Sequence, residues 1–248
     1  MSKQFRNDEF GRSAERADRV ARTYNLLAPE YDGHFETEIA LAENSCVFQD
    51  LEARIGAYES VLDVACGTGL FLEYMMQSPQ YYRGIDISSG MLAIATEKFK
   101  MHSFEQMDMA NMSKIGDRRF DHVICLNNAI NYTDYPASAL SEMYRVLKDA
   151  GRIYLMAGST KYPHRPSYIC NLKNLYSDLI PMDAWELKTL AIGAGFRKVT
   201  VRGFHAYAEK WLNGYRREWI ARYLRLEQAT IGRFKPDSCY FLILQAEK

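Results

Sequence analysis

Charge of one sign is what this sequence lacks most plainly: 31 Lys+Arg stand against 31 Asp+Glu, a formal net charge of zero at pH 7. A neutral chain has no long-range field to draw in nucleic acid or an anionic bilayer, so neither is expected as a partner. Cysteine is scarce and scattered. The five residues Cys46, Cys66, Cys125, Cys170 and Cys239 form no CxxC pair and no Cys/His cluster of metal-ligand spacing, which argues against a disulfide framework and a structural zinc. Four of them read as small buried hydrophobes, and Cys66 differs only in where it sits. No run approaches the ~18 apolar residues of a membrane span, and the polar start, Met1 to Phe10, holds no apolar leader core. A cytoplasmic protein is the expectation. Internal repeats, low-complexity tracts and dividing linkers are missing too, so residues 1–248 are expected to form one domain. What is present, 48% hydrophobic and 13% aromatic residues over 248 positions, suffices for one sizeable core.

Residues 11–57 carry two helical patterns, Ala14, Ala17, Val20, Ala21, Tyr24 and Ile39, Ala42, Cys46, Phe48, Leu51, Ile55, joined through Ala28-Pro29-Glu30-Tyr31-Asp32. At Ser60 the period changes. Val61-Leu62-Asp63-Val64 is a short β-branched run, followed by the small-residue turn Ala65-Cys66-Gly67-Thr68-Gly69 and a helical stretch from Leu70 to Gln77. The unit recurs with Tyr82 to Asp86 as strand and Ser88 to Lys100 as helix. It recurs again with Asp121 to Leu126 as strand, Ala137 to Leu147 as helix and Arg152 to Ala157 as the next strand. Strand and helix alternating at this spacing predict right-handed crossovers and an open, mostly parallel sheet covered on both faces.

Beyond residue 157 the rhythm breaks. Residues 158–181, with Pro163, Pro166 and Pro181 among tyrosines, are too long for an ordinary connection and look like an inserted substrate lobe. Asp183 with Glu186 opens a helix ending at Gly195, and Val199 to His205 resumes as strand. A second, mainly helical excursion runs to residue 237, and Tyr240 to Leu244 is a buried strand. The expected plan is a helical lid over 1–57, a core over 58–157, and substrate-cap insertions at 158–181 and 206–237.

In a doubly wound sheet the ligand lies outside the carboxyl ends of the strands, where strand order reverses. Small residues at 65, 67 and 69 let a ligand approach the backbone, and a helix starting there offers free N–H groups to an anionic group. Asp63 is a carboxylate inside an apolar strand, costly unless it faces a cation or donors. Asp86 ends the second strand at the separation where an acid accepts from two ribose hydroxyls.

Val61-Leu62-Asp63-Val64-Ala65-Cys66-Gly67-Thr68-Gly69 resembles the first motif of class I S-adenosylmethionine-dependent methyltransferases. Gly84-Ile85-Asp86-Ile87-Ser88 with Met91-Leu92, Met107-Asp108-Met109, Phe120 to Ile124, and Arg145 to Gly151 before Arg152-Ile153-Tyr154-Leu155 resemble four further motifs in the same order. The resemblance spans residues 24–205 and the last strand. Ala65 departs from the family's first glycine by one methyl group, and Asp149-Ala150-Gly151 stands where Pro-Gly-Gly is common. The resemblance implies an α/β, Rossmann-like, doubly wound sheet of seven mostly parallel strands, with S-adenosyl-L-methionine as cofactor. It implies that Ala65, Gly67 and Gly69 lie against the methionine part, and that Asp63 orders this region or reaches the ammonium group. Asp86 would accept the ribose hydroxyls, Ile87 and Met91 would flank the adenine, Leu126 would contact the cofactor, and Asp108 with the Met109 amide would read the adenine edge. Tyr24 and Tyr31 sit in a segment similar to the lid of small-molecule and quinone-type methyltransferases. Their spacing also fits an aromatic stripe docking a helix.

Methyl transfer from a sulfonium is an in-line displacement, so positioning in a dry pocket can supply much of the catalysis. The expected product is an N- or O-methylated small molecule. Residues after the fourth, fifth and sixth strands face the methyl group: Asn127, Asn128, Asn131 and Tyr132, then Tyr162 and His164, then His205. Asn128 and Tyr132 are expected to orient the nucleophile, with His205 as the base if it is a hydroxyl. Trp211, Tyr215, Trp219 and Tyr223 recur every four residues, a cap over a mid-sized molecule or a helix packed on the core. Asp134 alone among carboxylates falls near this edge, so no metal is expected. A nicotinamide dehydrogenase and an inactive binding protein of the same fold are the alternatives, and a homodimer stays open.

Overall fold

The computed structural model describes residues 2–36, 38–56, 58–75, 79–161, 178–205 and 235–248, and their side chains except those of 2–14, 38 and 39. Among them, seven strands form one sheet: β1 (Ser60–Val64), β2 (Tyr81–Asp86), β3 (Ser103–Gln106), β4 (Phe120–Cys125), β5 (Leu147–Gly158), β6 (Arg197–Phe204) and β7 (Phe241–Glu247). Their order is β3-β2-β1-β4-β5-β7-β6, with β7 antiparallel to both neighbours and the other pairs parallel. This is the α/β, doubly wound, mostly parallel arrangement expected. Strand order reverses between β1 and β4, so their carboxyl ends open a crevice.

The central strands are apolar on both sides because helices cover both faces. Along β1, Val61 and Leu62 point to opposite sides, as period-two geometry demands. Leu62, Val64 and Leu155 join a core with Leu140 and Met143 of α5 (Pro136–Val146) and Leu187 of α6 (Ala184–Gly193). Val61, Ile124 and Met156 join a second with Val47, Phe48 and Leu51 of α2 (Glu38–Glu52) and Phe71 and Leu72 of α3 (Leu70–Tyr74). Capping fixes helix starts. Ser88 accepts from the Met91 N–H at the start of α4 (Ser89–Lys98), and Asp183 accepts from the Glu186 N–H before α6.

The structure departs from expectation at three places. Helix α1 runs Ser2–Leu27, longer than the periodic pattern that begins near residue 11. β3 was not evident because Ser103-Phe104-Glu105-Gln106 lacks a β-branched apolar run; an edge strand pairs on one side and needs none. β5 begins at Leu147 rather than Arg152, since α5 passes directly into extended chain at Leu147. Residues 162–177 and 206–234, most of both expected cap insertions, lie outside the described residues. No described helix is long and apolar enough to cross a membrane.

Candidate functional site

β1 delivers its chain into the turn with Ala65, Gly67 and Gly69 all at left-handed φ, 60°, 56° and 80°. Ala65 holds this conformation against a steric cost of ~1–2 kcal/mol, strain of the kind that persists where a site demands it. A Cβ on Gly67 would find nothing nearer than the Tyr31 ring at 3.8 Å, so the glycine leaves open space above the turn. Gly69 serves another purpose. Its missing side chain admits Phe99, whose ring would lie 2.8 Å from a Cβ, and it caps α3.

Above this turn lies a cleft of about 720 Å³, mouth included, within the ~300–1,000 Å³ typical of small-ligand sites. Tyr24, Tyr31, Asp63, Ala65, Gly67, Asp86, Ile87, Met91, Met109, Leu126, Asn127 and Tyr132 line it, together with Val20, Phe48, Cys66, Leu70, Phe71 and Ala129. A second lobe shares Val20, Ala65, Asp86, Ile87, Met109 and Tyr132 and extends past Asp108 to Asp134 and Tyr135. One continuous cleft thus follows the carboxyl ends of β1, β2 and β4.

Asp86 knits its floor. One carboxylate oxygen accepts the Gly67 N–H at 2.9 Å and the other the Ser88 N–H at 2.8 Å. Burial raises its pKa while these donors pull it back. Asp63, 2% exposed, accepts the Tyr82 hydroxyl at 2.7 Å, and burial pushes its pKa up to about 7. Burial also raises the Cys66 thiol, which keeps it protonated and unreactive. Asp108 accepts the Ala110 N–H at 2.8 Å on the wall of the second lobe.

The roof comes from α1 and the 3-10 turns after it. Ala17, Val20 and Tyr24 recur at helical spacing over the cleft, and Tyr24 meets Tyr31 and Tyr132 edge to face at 6.2 and 5.8 Å. Polar contacts hold this segment down. Asn25 accepts the Ser88 hydroxyl at 2.7 Å and the Gly90 N–H at 2.8 Å, while Asp32 accepts from Thr68 and from Lys98 at 2.9 Å. Arg16 pairs with Asp134 and Arg19 with Asp178. Sequence reasoning missed Asn25 and Asp32; their only signal was polarity beside the two tyrosines. It also missed Val20 and Phe48, which lie far from the glycine turn in sequence.

Four of the expected residues lie off the described cleft lining. Gly69 does not line the cleft, because its role is to admit Phe99. Asn131 is buried as a clamp, donating to the Gly158 and Ile180 carbonyls at 3.0 and 2.7 Å and accepting the Gly158 N–H at 2.7 Å, so it has no surface for a substrate. Asn128 is buried outside the cleft lining and sits left-handed at the start of the turn Ala129–Tyr132. His205 follows β6, is buried, and engages Glu43 of α2 through Nδ1; it lines neither lobe. Tyr162, His164, Trp211 and Tyr215 lie outside the described residues. No trio of His, Cys, Asp and Glu with metal-binding placement occurs among the described residues.

A family model described as "Methyltransferase domain" matches residues 62–155. The chain is similar to a demethylmenaquinone methyltransferase of Bacteroides fragilis, 27% identical over 182 residues that cover 69% of this chain and 71% of that one. It is similar to a malonyl-[acyl-carrier protein] O-methyltransferase of Pectobacterium atrosepticum, 29% identical over 135 residues, 54% and 51% of the two chains. In fold it is similar to a S-adenosylmethionine-dependent methyltransferase from Thermotoga maritima, with a TM-score of 0.65 at 18% identity, covering 92% and 99% of the chains. The matched stretch runs from β1 to most of β5, the same part of the chain that builds the turn and the cleft, and over it the chain is similar to S-adenosylmethionine-dependent methyltransferases.

Proposed function

We propose that the chain transfers the methyl group of S-adenosylmethionine to a small, largely apolar molecule, at a hydroxyl oxygen or at the ring carbon beside such a hydroxyl. The observation that carries this is the cleft itself: an apolar volume at the strand ends, closed by two tyrosines, with two buried carboxylates on its floor. Those residues fit the cofactor. A buried carboxylate such as Asp63, whose one hydrogen-bond donor among the described residues is a phenol, suits a ligand that brings a positive charge. Bound there, the cofactor supplies an electrophilic methyl group on sulfur.

The chain's own residues bind, orient and exclude water. The backbone at Ala65 and Gly67 receives the methionine part, and Asp86 keeps a second lone pair on each oxygen for the ribose hydroxyls. Ile87 and Met91 flank the adenine, and Asp108 with the Met109 amide reads its edge. Tyr24 and Tyr31 cover the cofactor and expel water, which strengthens every polar contact inside. Asn127 and Tyr132, uncharged and on the cleft wall, orient the acceptor's oxygen by hydrogen bonds. Similarity to proteins named demethylmenaquinone methyltransferase and malonyl-[acyl-carrier protein] O-methyltransferase supports an acceptor other than an amine.

The test is product analysis with methyl-labelled S-adenosylmethionine across a panel of quinols, phenols, acyl thioesters and amines. Label on oxygen or ring carbon is the expected result. Label confined to amines overturns the acceptor class, and cofactor binding without turnover on any of the panel points to the inactive binding protein.

A further inference from the structure

The two buried carboxylates of the cleft are not alike. Asp86 is satisfied as an anion by two backbone N–H groups. Asp63 receives one neutral donor, the Tyr82 hydroxyl on Oδ2, and has no ion-pair partner among the described residues. The titratable groups facing it are Tyr82 and Asp86 from β2, Cys66 from the turn and Cys125 from β4, all neutral or negative. No cation among the described residues offsets a charge on it, and burial, only partly countered by the Tyr82 hydroxyl, holds the carboxyl up at about 7. Its Oδ1 remains for the cleft, which Asp63 lines.

We propose that Tyr82 is a positioning residue for Asp63, and that Asp63 gives up its proton to water when the cofactor's ammonium group enters the cleft. This rests on the assignment of Asp63 to the methionine end of the cofactor. Before binding, the pair is a carboxylic acid and a free ammonium; afterwards it is a carboxylate against that ammonium, with one proton passed to solvent and no covalent bond to carbon changed. Tyr82, donating to Oδ2, fixes the carboxylate plane and favours its charged form.

Binding coupled to proton loss strengthens with pH up to the group's own pKa and flattens above it. With that value at about 7, affinity at pH 6 is about fivefold weaker than at pH 7. The experiment is isothermal titration of the whole chain between pH 5.5 and 7.5 in buffers of different ionisation enthalpy. The ligands are S-adenosylmethionine, S-adenosylhomocysteine and 5′-methylthioadenosine. We expect about half a proton released per site at pH 7 for the first two, which carry the ammonium group, and none for the third. Asp63→Asn abolishes the release. Tyr82→Phe, which removes the donor that favours the charged form, moves the midpoint of release to higher pH and carries the test if Asp63→Asn does not fold. No release by the native chain, undiminished release in Asp63→Asn, or release with 5′-methylthioadenosine overturns the proposal. Absence of any binding heat for S-adenosylmethionine overturns instead the assignment of the cleft beneath it.

Discussion

Replacing Asp86 by Asn separates the two jobs of this residue. In the native chain its two oxygens each hold a buried backbone N–H, that of Gly67 at 2.9 Å and that of Ser88 at 2.8 Å. Asn keeps the shape but turns one oxygen into a donor, so one of these N–H groups faces another donor and loses its acceptor, at about 1–3 kcal/mol. The surviving bond loses its charge assistance, about 1 kcal/mol more, while removing a buried charge returns part of the sum. A net loss of roughly 1–3 kcal/mol lowers the melting temperature by about 5 °C in a chain of this size. Loss of a charge-assisted acceptor for the ribose hydroxyls, about 1.5–3 kcal/mol, weakens S-adenosylmethionine binding at least tenfold. Scanning calorimetry reads the first effect, and titration calorimetry below the melting range reads the second. An unchanged melting temperature refutes the claim that Asp86 holds the turn. An unchanged dissociation constant refutes its contact with the cofactor even if the turn is weakened.

The elements legible in the sequence are those whose cause is local. Val61 to Val64 followed by small residues at 65, 67 and 69 announces a strand and a tight turn, and Asp86 at the end of β2 announces an acid beside that turn; Asp63, Ala65, Gly67 and Asp86 line one cleft in the structure, while Gly69 stays within the turn. β3 escaped because an edge strand of polar and aromatic residues has no periodic signature. Asn131 and His205 escaped for a different reason. The partners that consume them, Gly158 and Ile180 for the one and Glu43 for the other, are between 27 and 162 residues away, and no spacing rule reports a hydrogen bond at that range. Both residues read as reactive polar groups in sequence, and the fold buries both. The roof was half legible: two tyrosines suggested it, but only the fold shows Asn25 and Asp32 holding it to Ser88, Gly90, Thr68 and Lys98.

Gly67→Val places a β-branched side chain at φ 56° and fills the open space below Tyr31; S-adenosylmethionine binding falls more than ~100-fold by titration calorimetry, and normal binding would show that the turn does not meet the cofactor. His205→Ala leaves Glu43 buried beside a void, so it costs about 3 kcal/mol in chemical denaturation with cofactor affinity unchanged; a stable variant with turnover down 10²–10⁴ would restore the histidine as base. The last concerns stability against pH in the cofactor-free chain, and its sign follows from proton counts. Asp63 holds its proton in the folded chain up to about 7, whereas an unfolded Asp releases it near 3.9. Between these values the folded state binds the extra proton, so this residue makes stability fall as pH rises through the window, by about 1.4 kcal/mol per pH unit. Other carboxylates push the opposite way: Lys148 and the Ser60 donors hold Asp121 down at about 2, and its stabilisation is already complete above pH 5. The comparison is therefore native chain against Asp63→Asn, from pH 5.5 to 7, by urea unfolding. Relative to the variant, the native chain loses about 2 kcal/mol across that range, and saturating S-adenosylmethionine, by pairing the carboxylate, shrinks the difference. Parallel curves without ligand would mean that Asp63 is already charged in the empty cleft.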